Sequence, residues 1–264
     1  MIGKVMYNIL YVIVYPFFKL FFRCKYVNRD NLPKTGNYIL CSNHVHNLDP
    51  VLIALGQRRA FVTMAKSELF KNKLIGAFLR YMGAFPVERG KGDTGAIGYA
   101  EQALKDGHAM LIFFEGTRSK TGALLRPKTG VSMIAYQTQS PIIPICITPK
   151  GQVVKLFHRN MITFGDPIMP EDFGIENGTG IEYRNLSRKI MGIIAEMREH
   201  DKKLMLGDKY VPPVKEEAKP ALRTKAAAES KQSDVTEENP DENKMAAAEN
   251  AECANADSES SQQA

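Results

Sequence analysis

Short apolar runs alternate with longer amphipathic stretches along most of this chain. Strands are expected at 37–42, 60–64, 84–88, 109–114, 142–148 and 160–165, runs rich in Ile, Val and Phe and bounded by Gly, Pro or Asn. Helices are expected at 50–56, 73–82, 94–106, 128–138 and 182–205. The last places Leu186, Ile190, Ile193, Ile194 and Met197 at helical spacing. Strand and helix in alternation imply an α/β architecture, with a mainly parallel central sheet flanked by helices. In such sheets ligands gather beyond the carboxyl ends of the strands.

The two ends of the chain break this pattern. Residues 5–22 are apolar on nearly every face and carry Tyr7, Tyr11, Tyr15, Phe17, Phe18, Phe21 and Phe22. No small-residue cleavage site follows, which argues against a secretory signal. Pro16 would kink a spanning helix and Lys19 would sit inside it. Rings of this kind suit the membrane interface, and Arg23 and Lys25 can reach anionic lipid. Residues 1–30 are therefore expected to form a monotopic membrane anchor rather than a single span, with the protein on the cytoplasmic face of the membrane. Residues 31–211 hold the folded domain. From Val211-Pro212-Pro213 onward the composition shifts: residues 214–264 contain no Phe, Tyr or Ile and one Leu. Such a segment buries too little apolar surface to fold, so 212–264 is expected to be a disordered, acidic, Ala/Glu/Ser-rich tail.

Charge follows the same division. Residues 215–264 hold six Lys/Arg and twelve Asp/Glu, so the +6 of the whole chain conceals a +12 over residues 1–214. A basic body suits an anionic partner, whether lipid, phosphorylated substrate or acidic carrier protein. Nucleic acid is disfavoured, because no zinc-finger spacing, RNP-like stretch or basic heptad region occurs. The cysteines, Cys24, Cys41, Cys146 and Cys253, form no CxxC pair, consistent with a reducing compartment and no disulfide framework.

Candidate chemistry sits at the strand ends. His44 and Asp49 follow the 37–42 run. An imidazole there can take a proton from an attacking hydroxyl, and a nearby carboxylate can stabilise the imidazolium. The plainer alternative is loop work, with Asp49 capping the helix that opens at Pro50. His44, His46 and Asp49 also offer a metal-ligand set, although His108, His158 and His200 lie far away in sequence. Glu115-Gly116-Thr117-Arg118-Ser119 follows the 109–114 run and supplies a tight turn, a guanidinium fork and hydroxyls. Arg89, after 84–88, and Lys128 add cations. Together these strand ends point to an anionic substrate.

At these residues the chain resembles the lysophosphatidic acid acyltransferase family, the 1-acyl-glycerol-3-phosphate O-acyltransferases. Asn43-His44 with Asp49 resembles the family's catalytic His-x4-Asp block. Gly83-Ala84-Phe85-Pro86-Val87-Glu88-Arg89 resembles the second block, whose Arg contacts the substrate phosphate. Phe113-Phe114-Glu115-Gly116-Thr117-Arg118-Ser119 resembles the third, with Phe114 standing where Pro is usual, and Ile143-Pro144-Ile145 resembles the fourth. The likeness covers about residues 1–205 and leaves out the acidic tail.

The resemblance implies transfer of a fatty acyl group from acyl-CoA or acyl-carrier protein to the 2-hydroxyl of 1-acyl-glycerol-3-phosphate. His44 would be the general base and Asp49 would orient it. Arg89, Glu115, Gly116, Thr117, Arg118 and Lys128 would shape the phosphate site. Glu115, being acidic, would position an Arg or bind a substrate hydroxyl. No metal and no bound cofactor is implied. Transfer to glycerol-3-phosphate or another lysolipid, a metal-dependent phosphoesterase, and a non-catalytic membrane adaptor remain the competing readings.

Overall fold

The structure, a computed structural model, describes residues 4–57, 59–88 and 94–207. Arg89 and the tail 212–264 lie outside the described residues. Seven strands form one sheet: β1 (Cys24–Val27), β2 (Tyr38–Ser42), β3 (Phe61–Lys66), β4 (Ala84–Val87), β5 (Ala109–Phe113), β6 (Ile142–Pro149) and β7 (Asn160–Phe164). Their order is β1-β7-β6-β2-β5-β3-β4, and every neighbouring pair is parallel except β6 with β7. The helices are α1 (Lys4–Phe21), α2 (Asp49–Gln57), α3 (Lys73–Tyr81), α4 (Thr94–Lys105), α5 (Gly130–Thr138) and α6 (Gly180–Leu206). The six expected strands and five expected helices of the body are all present, with ends shifted by a few residues.

Pleating explains how one sheet serves two cores. In β2, Ile39 and Cys41 face a core completed by α4, α5 and α6, whereas Tyr38 and Leu40 face a second completed by Leu52 and Ile53 of α2 and Phe22. Both faces of the central strands are buried, which is why β2 and β6 read as continuous apolar runs. Longer-range polar ties then fix α6. Thr148 of β6 and Thr163 of β7 donate to the buried Asp201 at 2.8 and 2.7 Å, holding the antiparallel pair to that helix. Burial raises the Asp201 carboxyl above its ordinary value, against these two bonds.

Two features of the N-terminal region come from the structure alone. First, the 5–22 run divides into a packed face and an exposed one. One face of α1 packs on the body: Tyr7 donates its hydroxyl to Ala54 O at 2.7 Å, Tyr15 stacks on Tyr26 and Phe18 stacks on Phe22. The opposite stripe, Ile9, Val12, Ile13, Phe17 and Leu20, is exposed. No helix among the described residues is long and apolar enough to cross a membrane. Second, Cys24 and Lys25 do not simply flank an anchor; they begin β1, which pairs with β7.

Candidate active site

The site is built where β2 ends. Past Ser42 the chain leaves the sheet, and Asn43 replaces the lost strand pairing with its side chain. Its amide donates to Ile147 O at 3.0 Å and accepts from Ile147 N–H at 2.8 Å, fully buried. This two-way bridge to β6 sets the direction in which His44 emerges. Asn43→Ala would orphan both main-chain groups, and should cost about 2–3 kcal/mol in urea unfolding. A loss under about 0.5 kcal/mol would show that the bridge does not hold the loop.

His44 then meets Asp49. Nδ1 of His44 lies 2.8 Å from Oδ2 of Asp49. A carboxylate can only accept, so Nδ1 carries the hydrogen and Nε2 keeps its lone pair. The ring is held on a second side by Phe113 of β5, stacked at 4.0 Å between centroids and 21° between planes. Asp49 is itself fully buried, and the same Oδ2 accepts the N–H groups of Val45 at 2.7 Å and His46 at 2.8 Å. Both donors belong to the loop before α2 and not to the helix's first turn. The expected capping of α2 by Asp49 is therefore replaced by a clamp on the 44–49 loop.

His46 plays a local part. Its Nδ1 accepts the Leu48 N–H at 3.2 Å, inside the same loop. Among the described residues no group of three or more His, Cys, Asp or Glu is arranged to hold a metal ion.

The 115–119 turn follows the neighbouring strand β5, which pairs with β2 in register from Tyr38↔Ala109 to Ser42↔Phe113. Ser119 N–H donates to His44 O at 2.8 Å, so the two segments are joined directly. Gly116 adopts φ +72°, the left-handed region that favours glycine, and Lys128 passes over it. Gly116, Thr117, Arg118 and Lys128 are exposed on this rim. Phe114, in the position where Pro was usual, is buried in the core against α5 and α6. The third strand end, that of β4, is separated from β5 by β3, and its Arg89 is outside the described residues.

Glu115 differs from its neighbours. It is buried, and neither oxygen makes a hydrogen bond of ordinary geometry. Burial pushes its carboxyl up to about 7; the nearby amides of Leu125 and His44 and the cation of Arg198 oppose this, and the charge of Asp49 adds to it. Because the native state then holds this proton more tightly than the unfolded chain, whose carboxyl titrates near 4.5, the group destabilises the fold progressively from about pH 4.5 to 7, fully above that. Glu115→Gln should therefore raise the melting temperature more at pH 8 than at pH 5. An equal shift at both values would refute the buried charge as its cause.

Sequence reasoning missed two supports of this corner. Arg198 of α6 is buried and donates through Nη2 to Gly122 O, beyond the 115–119 turn. Gly122 has φ +75°, and a Cβ there would lie 1.9 Å from Gln152 O. A glycine ahead of Ala123 was the only available signal, and nothing in the sequence indicated which loop it meets. A cavity of about 1100 Å³ lies elsewhere, at the amino edge of the sheet near Lys34, Gln57, Arg59 and His108, away from His44.

A family model described as Acyltransferase matches residues 23–148. The 1-acyl-sn-glycerol-3-phosphate acyltransferase of Streptococcus pneumoniae is 35% identical over 162 residues, covering 60% of each chain. The protein of that name from Bacillus subtilis is 31% identical over 152 residues, covering 56% of this chain and 75% of its own length. The crystal structure of the 1-acyl-sn-glycerophosphate (LPA) acyltransferase PlsC from Thermotoga maritima superposes with a TM-score of 0.56 at 25% identity, covering 68% of this chain and 72% of that one. The chain thus spans between three fifths and three quarters of these bacterial relatives. With three quarters of the Bacillus subtilis protein matched at this identity, the chain belongs to the acyltransferase family that includes the 1-acyl-sn-glycerol-3-phosphate acyltransferases.

Proposed function

We propose that this chain transfers a fatty acyl group from a thioester donor, acyl-CoA or acyl-carrier protein, to the 2-hydroxyl of 1-acyl-glycerol-3-phosphate, forming phosphatidic acid. The observation that carries the reading is the buried His44–Asp49 pair, whose 2.8 Å bond leaves Nε2 as the basic nitrogen. The substrate hydroxyl gives its proton to Nε2 as its oxygen attacks the thioester carbon. The new oxygen–carbon bond forms, the carbon–sulfur bond breaks, and the imidazolium returns the proton to the departing thiolate. Asp49 stabilises the imidazolium and keeps Nδ1 protonated throughout.

Arg118 and Lys128, exposed on the rim that Ser119 ties to the His44 main chain, are suited to the phosphate, with Arg89 a further contact and Gly116 and Thr117 lining the turn. Glu115 is buried near Arg198, which favours a role in shaping the turn over direct contact with phosphate. The chemistry asks for no metal and no resident cofactor. The exposed apolar stripe of α1 supports a monotopic anchor, which in this reading sits on the cytoplasmic face of the membrane and receives lysophospholipid from the bilayer.

The test is a panel of lysolipid acceptors and labelled donors offered to the full-length chain. Labelled phosphatidate from lysophosphatidate supports the assignment. Product only from glycerol-3-phosphate or from a lysolipid with another headgroup would move the acceptor.

A further inference from the structure

Helix α3 carries an apolar stripe that faces out, while Gly76 and the half-buried Leu79 form its inner side. At 100° per residue, Leu74, Phe78 and Tyr81 form one stripe with Ile75 on its flank, and Gly76 lies opposite. Gly76 is the buried residue of this helix, set against the Phe70 backbone. The stripe faces out: Leu74 is 83% exposed, Phe78 59%, Ile75 49% and Tyr81 45%, with Leu69 just upstream at 49%. Burying such side chains is the usual reason for placing them on one face, so the exposed stripe marks an interaction surface.

Cations frame it. Residues 66–81 contain Lys66, Lys71, Lys73 and Arg80 against the single acid Glu68. Lys66 pairs with Glu68 at 2.8 Å and Arg80 stacks on Phe70. Among the described residues no carboxylate pairs with Lys71 or Lys73.

Topology places the stripe. β3 ends at Lys66, on the carboxyl edge of the sheet where His44 stands, and the chain leaves there for α3 and β4. β3 and β4 are parallel neighbours, and the right-handed rule for such crossovers puts α3 on the side of the sheet that α2 covers and α1 packs against. The outward stripes of α1 and α3 therefore belong to one layer of the molecule.

We propose that α3 is a second membrane-seating element, which lays Leu74, Phe78 and Tyr81 into the interface of an anionic bilayer while Lys71 and Lys73 meet its headgroups. Two apolar stripes on one layer, bordered by lysines, suit a flat anionic surface better than the groove of a protein partner. The benefit of this seating rests on the lipid-acceptor reading above; the binding itself does not.

The experiment is co-sedimentation of the full-length chain with phosphatidylcholine vesicles, with and without phosphatidylglycerol. Leu74→Ser/Phe78→Ser should lower vesicle partitioning about ten-fold, both alone and in a Val12→Ser/Ile13→Ser background. Lys71→Gln/Lys73→Gln should weaken it only when phosphatidylglycerol is present. Acyl transfer to lysophosphatidate in detergent micelles should persist in all these variants, and the melting temperature should not fall. Wild-type partitioning by the α3 variant in both backgrounds would overturn the proposal. So would unchanged partitioning together with loss of a dimer, which would assign the stripe to a second copy, or together with loss of turnover from acyl-carrier protein alone. If the wild type transfers no acyl group yet the α3 variant still leaves the vesicles, the membrane proposal stands and the acyltransferase reading falls.

Discussion

His44→Ala should reduce acyl transfer by about 10³-fold or more without unfolding the protein. A positioned base contributes roughly 10²–10⁴ to rate, and His44 has both of its positioning contacts in place. Asp49 fixes the ring by its edge and Phe113 by its face. The substitution removes a buried ring, but Asp49 keeps the Val45 and His46 amides, so the loop clamp survives and the protein should stay folded. Asp49→Asn is the sharper companion. An amide oxygen in the place of Oδ2 can still accept from Nδ1 and from the two main-chain amides, but it carries no charge to balance the imidazolium. A loss approaching that of His44→Ala is expected. The 44–49 loop should be held somewhat less firmly, because the Val45 and His46 amides then donate to a neutral oxygen instead of a carboxylate. Steady-state rates against lysophosphatidate, with melting temperatures alongside, check both variants. A His44→Ala protein at wild-type rate would remove His44 from the chemistry.

The largest stability effect should come from Gly122→Ala. The added methyl meets Gln152 O at 1.9 Å in a backbone conformation, φ +75°, that L side chains rarely adopt. Relief requires either the 122 turn or the 152 loop to move, and moving the first pulls Gly122 O away from the buried guanidinium of Arg198. A loss above about 4 kcal/mol in urea unfolding follows from strain and an orphaned buried charge acting together. Gly98→Ala is the control. That position lies exposed within α4 with nothing near its Cβ, so alanine should stabilise by about 0.5–1 kcal/mol. Equal responses at the two glycines would show that the close approach at 122 does not matter.

The body of the fold was readable because its central strands are buried on both faces, leaving long apolar runs such as Ile142–Pro149. β1 was not. It has four residues at the sheet edge, Lys25 among them exposed, and it follows directly on an apolar helix that dominates the local pattern. The dyad was readable as two residue types at a suggestive interval after a strand. Its detailed wiring was not: the clamp of Asp49 on Val45 and His46 is a property of loop geometry. Similarly, Glu115 reads as one more polar residue on a substrate rim, yet it turns inward toward Arg198 from a helix some eighty residues further along. Contacts of that sequence separation leave no local trace. Nor does the exposure of the α3 stripe, since an apolar helical face looks the same in sequence whether it points in or out.

The central claim is that the nucleophile is the lipid's hydroxyl, activated by His44, and not a group of the protein. The most direct measurement mixes the full-length chain with a labelled acyl donor, with and without lysophosphatidate, and follows the label in lipid and protein fractions. Label should move into phosphatidate only when lysophosphatidate is present, and none should become attached to the protein. Acyl-protein formed from donor alone, or an acceptor that stays unlabelled while donor is consumed, would contradict the account.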